Sequence, residues 1–238
     1  MTTVRIASYN IHGCVGADRK RDPARIGAVR AELHADVIAL QEVDSRGEST
    51  AVESQWQSLA ARVGLRAVPG PTLVEREGQY GNAVLTRAPV LESLQHNLSV
   101  PGREPRGAVE VVVDVPGVAL RVIVAHLGLS AAERRRQVRQ LLGIIGARSE
   151  LPLVLAGDFN EWWPWGRPLR WLSRALGCAA APRSYPAKLP MLPLDRVWVR
   201  PERLLQDVSP HRSRLARIAS DHLPVVATVD LSCLVASP

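Results

Sequence analysis

Short apolar runs that end on polar residues of a narrow set constrain this chain more than any other feature. Residues 4–9, 37–40, 83–86, 108–115, 118–125, 153–156, 197–199 and 225–231 read as strands, most of them as buried ones. Several deliver a polar side chain at or just beyond one end: Asn10, Glu42, His126, and Asp158 with Asn160. Asp221-His222 stands at the mouth of the last run. An α/β architecture gathers its site where strands end.

Helical signals alternate with these runs. Asp22-Pro23 supplies an N-cap and the proline favoured at the first helical position, followed by Ile26, Val29 and Leu33 on one face. Val52, Trp56, Leu59 and Val63 mark a second amphipathic helix, and Pro69-Gly70-Pro71 reads as a loop after it. Pro116-Gly117 splits two strands into a hairpin, and Ser130 with Glu133 forms a capping box before a helix carrying Val138, Leu141, Leu142 and Ile145. Residues 161–195 read as a long loop holding one short helix at 168–176, and ordered loops of that length carry function disproportionately. No repeat, low-complexity tract or linker divides the chain, so one domain over 1–238 is expected.

Composition excludes a disordered or fibrous chain, because 46% of the 238 residues are hydrophobic and 22% charged. The net charge of +7 suits an anionic partner such as nucleic acid, a phosphoinositide or an anionic lipid surface. A plain preference for arginine explains it equally well, since lysine occurs only at Lys20 and Lys188. Cys14, Cys178 and Cys233 are scattered without metal-type spacing and read as small buried residues of a reducing compartment. The N-terminus runs straight into a strand, and no apolar stretch reaches the roughly 20 residues that span a bilayer. A soluble, cytoplasmic monomer is the expectation.

A lone Asp or Asn after a strand is more often a turn residue or a cap than a functional group. Several strand ends carrying only Asn, Glu, Asp and His are harder to explain by capping. Oxygen donors without a cysteine cluster select a hard cation, and Mg²⁺ takes one or two carboxylates together with water and substrate phosphate.

The ordered blocks Ser8-Tyr9-Asn10-Ile11-His12-Gly13, Leu40-Gln41-Glu42-Val43, Gly81-Asn82-Ala83-Val84-Leu85-Thr86-Arg87, His126-Leu127, Gly157-Asp158-Phe159-Asn160, Leu194-Asp195-Arg196 and Ser220-Asp221-His222-Leu223-Pro224 closely resemble the endonuclease/exonuclease/phosphatase (DNase I-like) superfamily. They span residues 4 to about 231 in the family's order, and the chain resembles its compact bacterial members. The resemblance implies a four-layer α/β sandwich, two packed mixed β-sheets flanked by helices, with the site at one edge where the sheets meet. It implies a Mg²⁺-dependent phosphoesterase, with Mn²⁺ able to substitute. Glu42 is then the main metal ligand, with Asn10 beside it and Asp221 as a further carboxylate. Asp158 orients or deprotonates the attacking water, and Asn160 holds the phosphate or that water. Asp195 fixes the tautomer of His222, which bonds the phosphate, while His126 acts from the opposite side of the phosphorus.

Two stretches depart from the family pattern. A carboxylate supports the first histidine in DNase I-like members, whereas this chain reads Gln79-Tyr80-Gly81-Asn82, which leaves Asn82 as the candidate partner of His126 or of the phosphate. Arg106 either reaches a substrate phosphate or is a solvated loop arginine. Trp162, Trp163 and Trp165 follow the Asp158-Asn160 motif and could stack on a base, lie on a lipid interface or pack the loop. Three functions fit: a phosphodiesterase or nuclease, a phospholipid or inositol-phosphate hydrolase, and a catalytically silent module that binds anions. The third predicts loss of a key carboxylate or histidine, and the sequence retains them all.

Overall fold

The computed structural model describes residues 2–46 and 65–235. The expected helix over Val52, Trp56, Leu59 and Val63 lies outside the described residues. Eleven strands are described: β1 (Thr3–Asn10), β2 (Val37–Asp44), β3 (Arg66–Glu75), β4 (Gly78–Thr86), β5 (Val90–Asn97), β6 (Gly107–Val115), β7 (Val118–His126), β8 (Leu153–Asp158), β9 (Asp195–Arg200), β10 (Leu205–Pro210) and β11 (Val225–Asp230). The helices are α1 (Pro23–Leu33), α2 (Ala131–Ala147), α3 (Arg167–Leu176) and α4 (Ala216–Ala219). The strands form two sheets, one in the order β10-β11-β1-β2-β4-β3 and the other β5-β6-β7-β8-β9. β1 runs parallel to β2 and β7 parallel to β8; the remaining pairs are antiparallel.

Side-chain alternation builds the layers. Val4 and Ile6 of β1, Val37 and Ala39 of β2, Val84 of β4, Val109, Val111 and Val113 of β6, and Val122 and Val124 of β7 meet in one buried cluster between the sheets. On the outer face of the first sheet, Ala7, Tyr9, Ile38 and Leu40 pack against Ile26, Val29 and Leu33 of α1. On the outer face of the second, Ile123, Leu155 and Trp198 pack against Val138, Leu141 and Ile145 of α2 and Leu169 and Leu172 of α3. Helix, sheet, sheet and helix make four layers, the α/β sandwich expected.

Period 2 also decides where the polar strand ends point. Continuing the inner-face series beyond its valines leads to Asn10 on β1, Gln41 on β2, Asn82 on β4, His126 on β7, Asp158 on β8 and Asp195 on β9. His126 pairs in register with Asp158, and Asp158 with Asp195, so three of these residues share one rung of the second sheet.

Pro69-Gly70-Pro71 lies inside β3 and not in a loop. Among the described residues only β4 pairs with this strand, and an edge strand tolerates prolines that a central one would reject. The β2–β4 register shifts between Leu40 and Val43, and the β3–β4 register between Pro71 and Leu73. Both shifts flank Gly81, where φ is 159° and an added Cβ would lie 2.5 Å from the Gly70 carbonyl oxygen. The cysteine expectation holds for Cys14, which is buried, and fails for Cys178 and Cys233, which are exposed. Ser130 does cap α2, accepting from the Glu133 N–H at 3.2 Å. No helix among the described residues is long and apolar enough to cross a membrane.

Arg121 fastens α2 to the second sheet. Its guanidinium pairs with Glu110 on β6 through Nε at 2.7 Å and Nη2 at 3.0 Å, and donates to the Ile144, Ile145 and Arg148 carbonyls at the C-terminal end of the helix. Both side chains are 1% exposed. Burial pushes the Glu110 carboxyl up, but Arg121 and His96 outweigh it and hold the group below its ordinary value. A depressed carboxylate contributes stability that is present above its unfolded pKa and lost as pH falls through the folded one. Glu110→Gln should therefore cost about 3 kcal/mol at pH 7, as expected for one partner of a buried pair, and flatten the loss of stability below pH ~4. Urea melts across pH 3–7 measure both; equal slopes in variant and parent would refute the assignment.

Candidate active site

The strand ends converge at one edge of the seam between the sheets, and polar bonds cross that seam. The Asn10 amide nitrogen donates to Glu42 Oε1 at 2.8 Å within the first sheet and to Asp158 Oδ2 at 3.1 Å in the second. Its Oδ1 accepts the His12 N–H at 3.0 Å, which fixes the orientation of the amide. Asn10 thus stands beside Glu42 as expected, while the oxygen it would offer a cation is already engaged by His12. Ser220 Oγ donates to the Asn10 carbonyl at 2.8 Å and ties the last motif to the first strand.

Two histidines flank Asp158. His222 Nε2 lies 3.6 Å from Asp158 Oδ2, and His126 Nε2 lies 3.7 Å from the same oxygen. His222 Nδ1 bonds Asp195 Oδ2 at 2.8 Å, and Asp195 takes a second bond from Ser184 Oγ at 2.5 Å. Asp195 is fully buried and His222 nearly so. Burial opposes the imidazolium, yet Asp195 and then Asp158 outweigh it and raise His222 to about 10. Burial drives His126 the other way, down to about 3, with Arg106 and His222 opposing the pull of Asp158. The Asn160 amide nitrogen donates to the Leu127 carbonyl at 2.8 Å and sits 3.2 Å from His126 Nε2, so it faces that nitrogen with an N–H. This contact suits an unprotonated Nε2.

Local backbone sets these directions. Glu42 lies at φ 54° within the β2 irregularity and Asn160 at φ 50° just past β8; both are left-handed conformations that ordinary residues adopt at a cost of about 1 kcal/mol or more. Such strain recurs at functional positions. Gly157 has φ 150°, and a Cβ there would lie 1.9 Å from the Ala125 carbonyl oxygen, which explains the glycine in the Gly157-Asp158-Phe159-Asn160 block.

Glu42 is the carboxylate with an unmet need. Its pKa is raised by burial, with Asp158 and Asp221 adding like charge and only the Asn10 bond and His12 opposing them. His12 Nδ1 lies 3.8 Å from Asp221 Oδ1, so Asp221 and Glu42 share that neighbour at the mouth. Hard oxygen donors crowded with like charge fit a divalent cation, which would relieve the repulsion. Asp158, Asp195 and His222 also bring one ligand atom each within 4.8 Å of one another. Asp195 and His222 can satisfy each other there, and that fits a hydrogen-bonded pair better than a metal cage.

The Asn82 amide nitrogen donates to the Gly107 carbonyl at 2.9 Å, and the described hydrogen bond of His126 Nε2 goes to Asn160. The inner-face direction is right, but the neighbouring β6 backbone captures the side chain. Arg106 is no solvated arginine: it is 5% exposed, pairs through Nη2 with Glu104 at 3.0 Å, and leaves Nε and Nη1 buried without a hydrogen-bond partner. Its charge is felt at both His126 and Tyr80. Trp162, Trp163 and Trp165 are 53%, 49% and 67% exposed and pack edge to face on one another, so they do not fill the loop. Ser184 and Tyr185, whose ring packs 4.8 Å from that of His222, carried no signal within their aperiodic loop.

The chain belongs to the Endonuclease/Exonuclease/phosphatase family, whose profile matches residues 7–222. It is 32% identical to the uncharacterized protein YbhP of Escherichia coli K12 over 247 residues, covering 95% of this chain and 96% of that protein. An endonuclease/exonuclease/phosphatase from Beutenbergia cavernae superposes with a TM-score of 0.74 at 25% identity, covering 97% of this chain and 72% of that one. Danio rerio TDP2, complexed with a single-strand DNA product, has the same fold, with a TM-score of 0.68 at 19% identity over 96% of this chain and 99% of that one.

A histidine with a raised folded pKa contributes stability that is full below its unfolded value near 6.5 and is lost as pH rises through about 10. In metal-free protein, NMR titration should find His222 still an imidazolium at pH 8, and Asp195→Asn should bring its titration down by at least about 2 pH units. A His222 that titrates near 6.5 in both proteins would contradict this geometry.

Proposed function

We propose that this member of the family is a divalent-cation-dependent phosphodiesterase that cleaves a P–O bond by in-line attack of water. The observation that carries the reading is the row His126, Asp158, His222. Two imidazoles approach one carboxylate oxygen at 3.7 Å and 3.6 Å, one pushed down to about 3 and the other up to about 10. Neighbouring titratable groups driven apart in this way divide acid and base work between them.

Asp158 accepts the proton of the attacking water or aligns that water by hydrogen bonding. His222, kept cationic by Asp195, donates a hydrogen bond to a non-bridging phosphate oxygen as charge builds there. His126 and Asn160 serve the opposite side, His126 by bonding a non-bridging oxygen or assisting the departing alcohol. The two unpartnered nitrogens of Arg106 suit a further phosphate oxygen. Asn10 keeps Glu42 and Asp158 apart by bonding both. Glu42 and Asp221 would hold the cation, Mg²⁺ or Mn²⁺, which supplies Lewis-acid polarisation of the phosphate when bound. Contributions from residues 10 to 222 and from both sheets argue for one catalytic unit over 1–238.

A monoesterase acting on an inositol phosphate would use the same donors. A silent anion-binding module fits less well, because a buried Glu42 carboxyl beside Asp158 and Asp221 adds negative charge at the mouth and serves no purpose in anion binding alone.

Asp158→Ala and His222→Ala should each lower Mg²⁺-dependent hydrolysis of an aryl phosphodiester by at least about 10², with circular dichroism unchanged. Undiminished turnover in either variant would remove that residue from the site. Glu42→Ala should raise the Mg²⁺ concentration needed for half-maximal rate by at least tenfold, and an identical metal titration would take Glu42 off the ligand set. EDTA should abolish the parent rate and added Mn²⁺ restore it.

A further inference from the structure

Six of the eleven exposed large apolar side chains among the described residues lie on three loops beside the site. Leu129 follows β7, Trp162, Trp163 and Trp165 follow β8, and Leu189 and Met191 lie between α3 and β9. These loops are anchored to the residues of the site or to each other. Arg134 Nη1 donates to the Leu129 carbonyl at 2.5 Å, and the same guanidinium pairs with the buried Glu161 at 3.2 Å, directly before the tryptophans. Glu161 also accepts the Trp163 N–H at 3.2 Å. On the other side, the Ala187 N–H donates to the Asp221 carbonyl at 2.6 Å, and Tyr185 packs on His222. The apolar tips are therefore held out into solvent by a rigid frame.

The exposed charge on the tryptophan loop and on the loop of Leu189 and Met191 has one sign. Across residues 160–167 and 185–193 the only acidic side chain is Glu161, buried in its arginine pair, whereas Arg167 and Lys188 are exposed. Indoles and aliphatic tips interleaved with cations match the boundary of an anionic bilayer, where indole favours the headgroup level and basic residues gain about 1 kcal/mol each. A single strand of nucleic acid would use the tryptophan faces and the arginine. It would leave Leu129, Leu189 and Met191 without purpose, because these have no π-face on which a base can stack.

We infer that this rim seats the protein on an anionic phospholipid surface and that the phosphodiester brought to the site is that of a lipid headgroup. The inference rests on the phosphodiesterase reading and narrows its substrate class. Water adds its oxygen to the headgroup phosphorus, one P–O ester bond breaks, and the departing alcohol leaves with a proton, giving a phosphomonoester.

The test uses the full chain with Mg²⁺, vesicles of phosphatidylglycerol and phosphatidylcholine in equal parts, and a soluble aryl phosphodiester. Vesicles should blue-shift the tryptophan emission, co-sediment the protein and show phosphodiester turning into phosphomonoester by phosphorus NMR. Leu189→Ser/Met191→Ser should weaken co-sedimentation and vesicle turnover at least tenfold while soluble turnover stays within twofold of the parent. Trp162→Ser/Trp163→Ser/Trp165→Ser should remove most of the blue shift. Intact soluble turnover without vesicle binding would overturn the inference and leave the phosphodiesterase reading standing. So would vesicle turnover indifferent to the double substitution, or a blue shift given by a single-stranded oligonucleotide and not by vesicles. Loss of soluble turnover in the parent would instead strike the phosphodiesterase reading, with vesicle binding still deciding the rim.

Discussion

The two sheets are joined at one edge by hydrogen bonds between groups that would be costly to bury alone. Asp158 and Asp195 come from the second sheet, and both lie in the interior of the protein. Their partners come largely from the first, where Asn10 ends β1 and His222 precedes β11. Burying a carboxylate short of partners is costly, so sliding one sheet along the other at this edge would take the Asn10 bond from Asp158 and the His222 bond from Asp195 while both groups stayed buried. The valine layer holds the sheets together by area, and the polar seam sets how they meet. A sheet-on-sheet interface made only of valines tolerates sliding, because apolar contact is non-directional. The bonds at the seam are directional, and they set the relative position of the two halves of the site.

That dependence accounts for the contrast between the histidines. Both are buried to a similar degree and both touch Asp158. His222 has a second carboxylate behind it and His126 has an amide, and that difference outweighs what they share. A carboxylate behind one ring, with an amide and an arginine beside the other, thus yields an imidazolium on one side of Asp158 and a neutral ring on the other.

The strands with buried faces were legible because their apolar runs were long and their polar terminators unusual. β3, β5 and β10, which the runs did not reveal, all lie at sheet edges, where half-exposed residues blur the alternation. In β3 the edge also admits the prolines that read as a loop. Asn82 faces the interior as its strand dictates, and only the nearness of the Gly107 carbonyl decides its bond. Propensity carries no trace of such a contact. Ser184 lies among prolines and arginines without a period, and chain folding alone brings it to Asp195. The tryptophans were visible as residues, but whether they point inward or outward depends on Glu161 and Arg134, a pair separated by 27 residues.

The paired irregularities around Gly81 bear on how the first sheet finds its alignment. Slipping a strand by one residue exchanges its two faces, which here would turn Asn82 and Val84 outward and bring Ala83 and Leu85 into the seam. Regular ladders look alike at every such offset. β4 carries an irregular step against β2 on one side and against β3 on the other, at the same glycine. The two steps act like the teeth of a key, since only one offset lets both neighbours accommodate their extra residue at the position without a side chain. The break that holds Glu42 in its left-handed conformation also serves as the alignment mark for three strands.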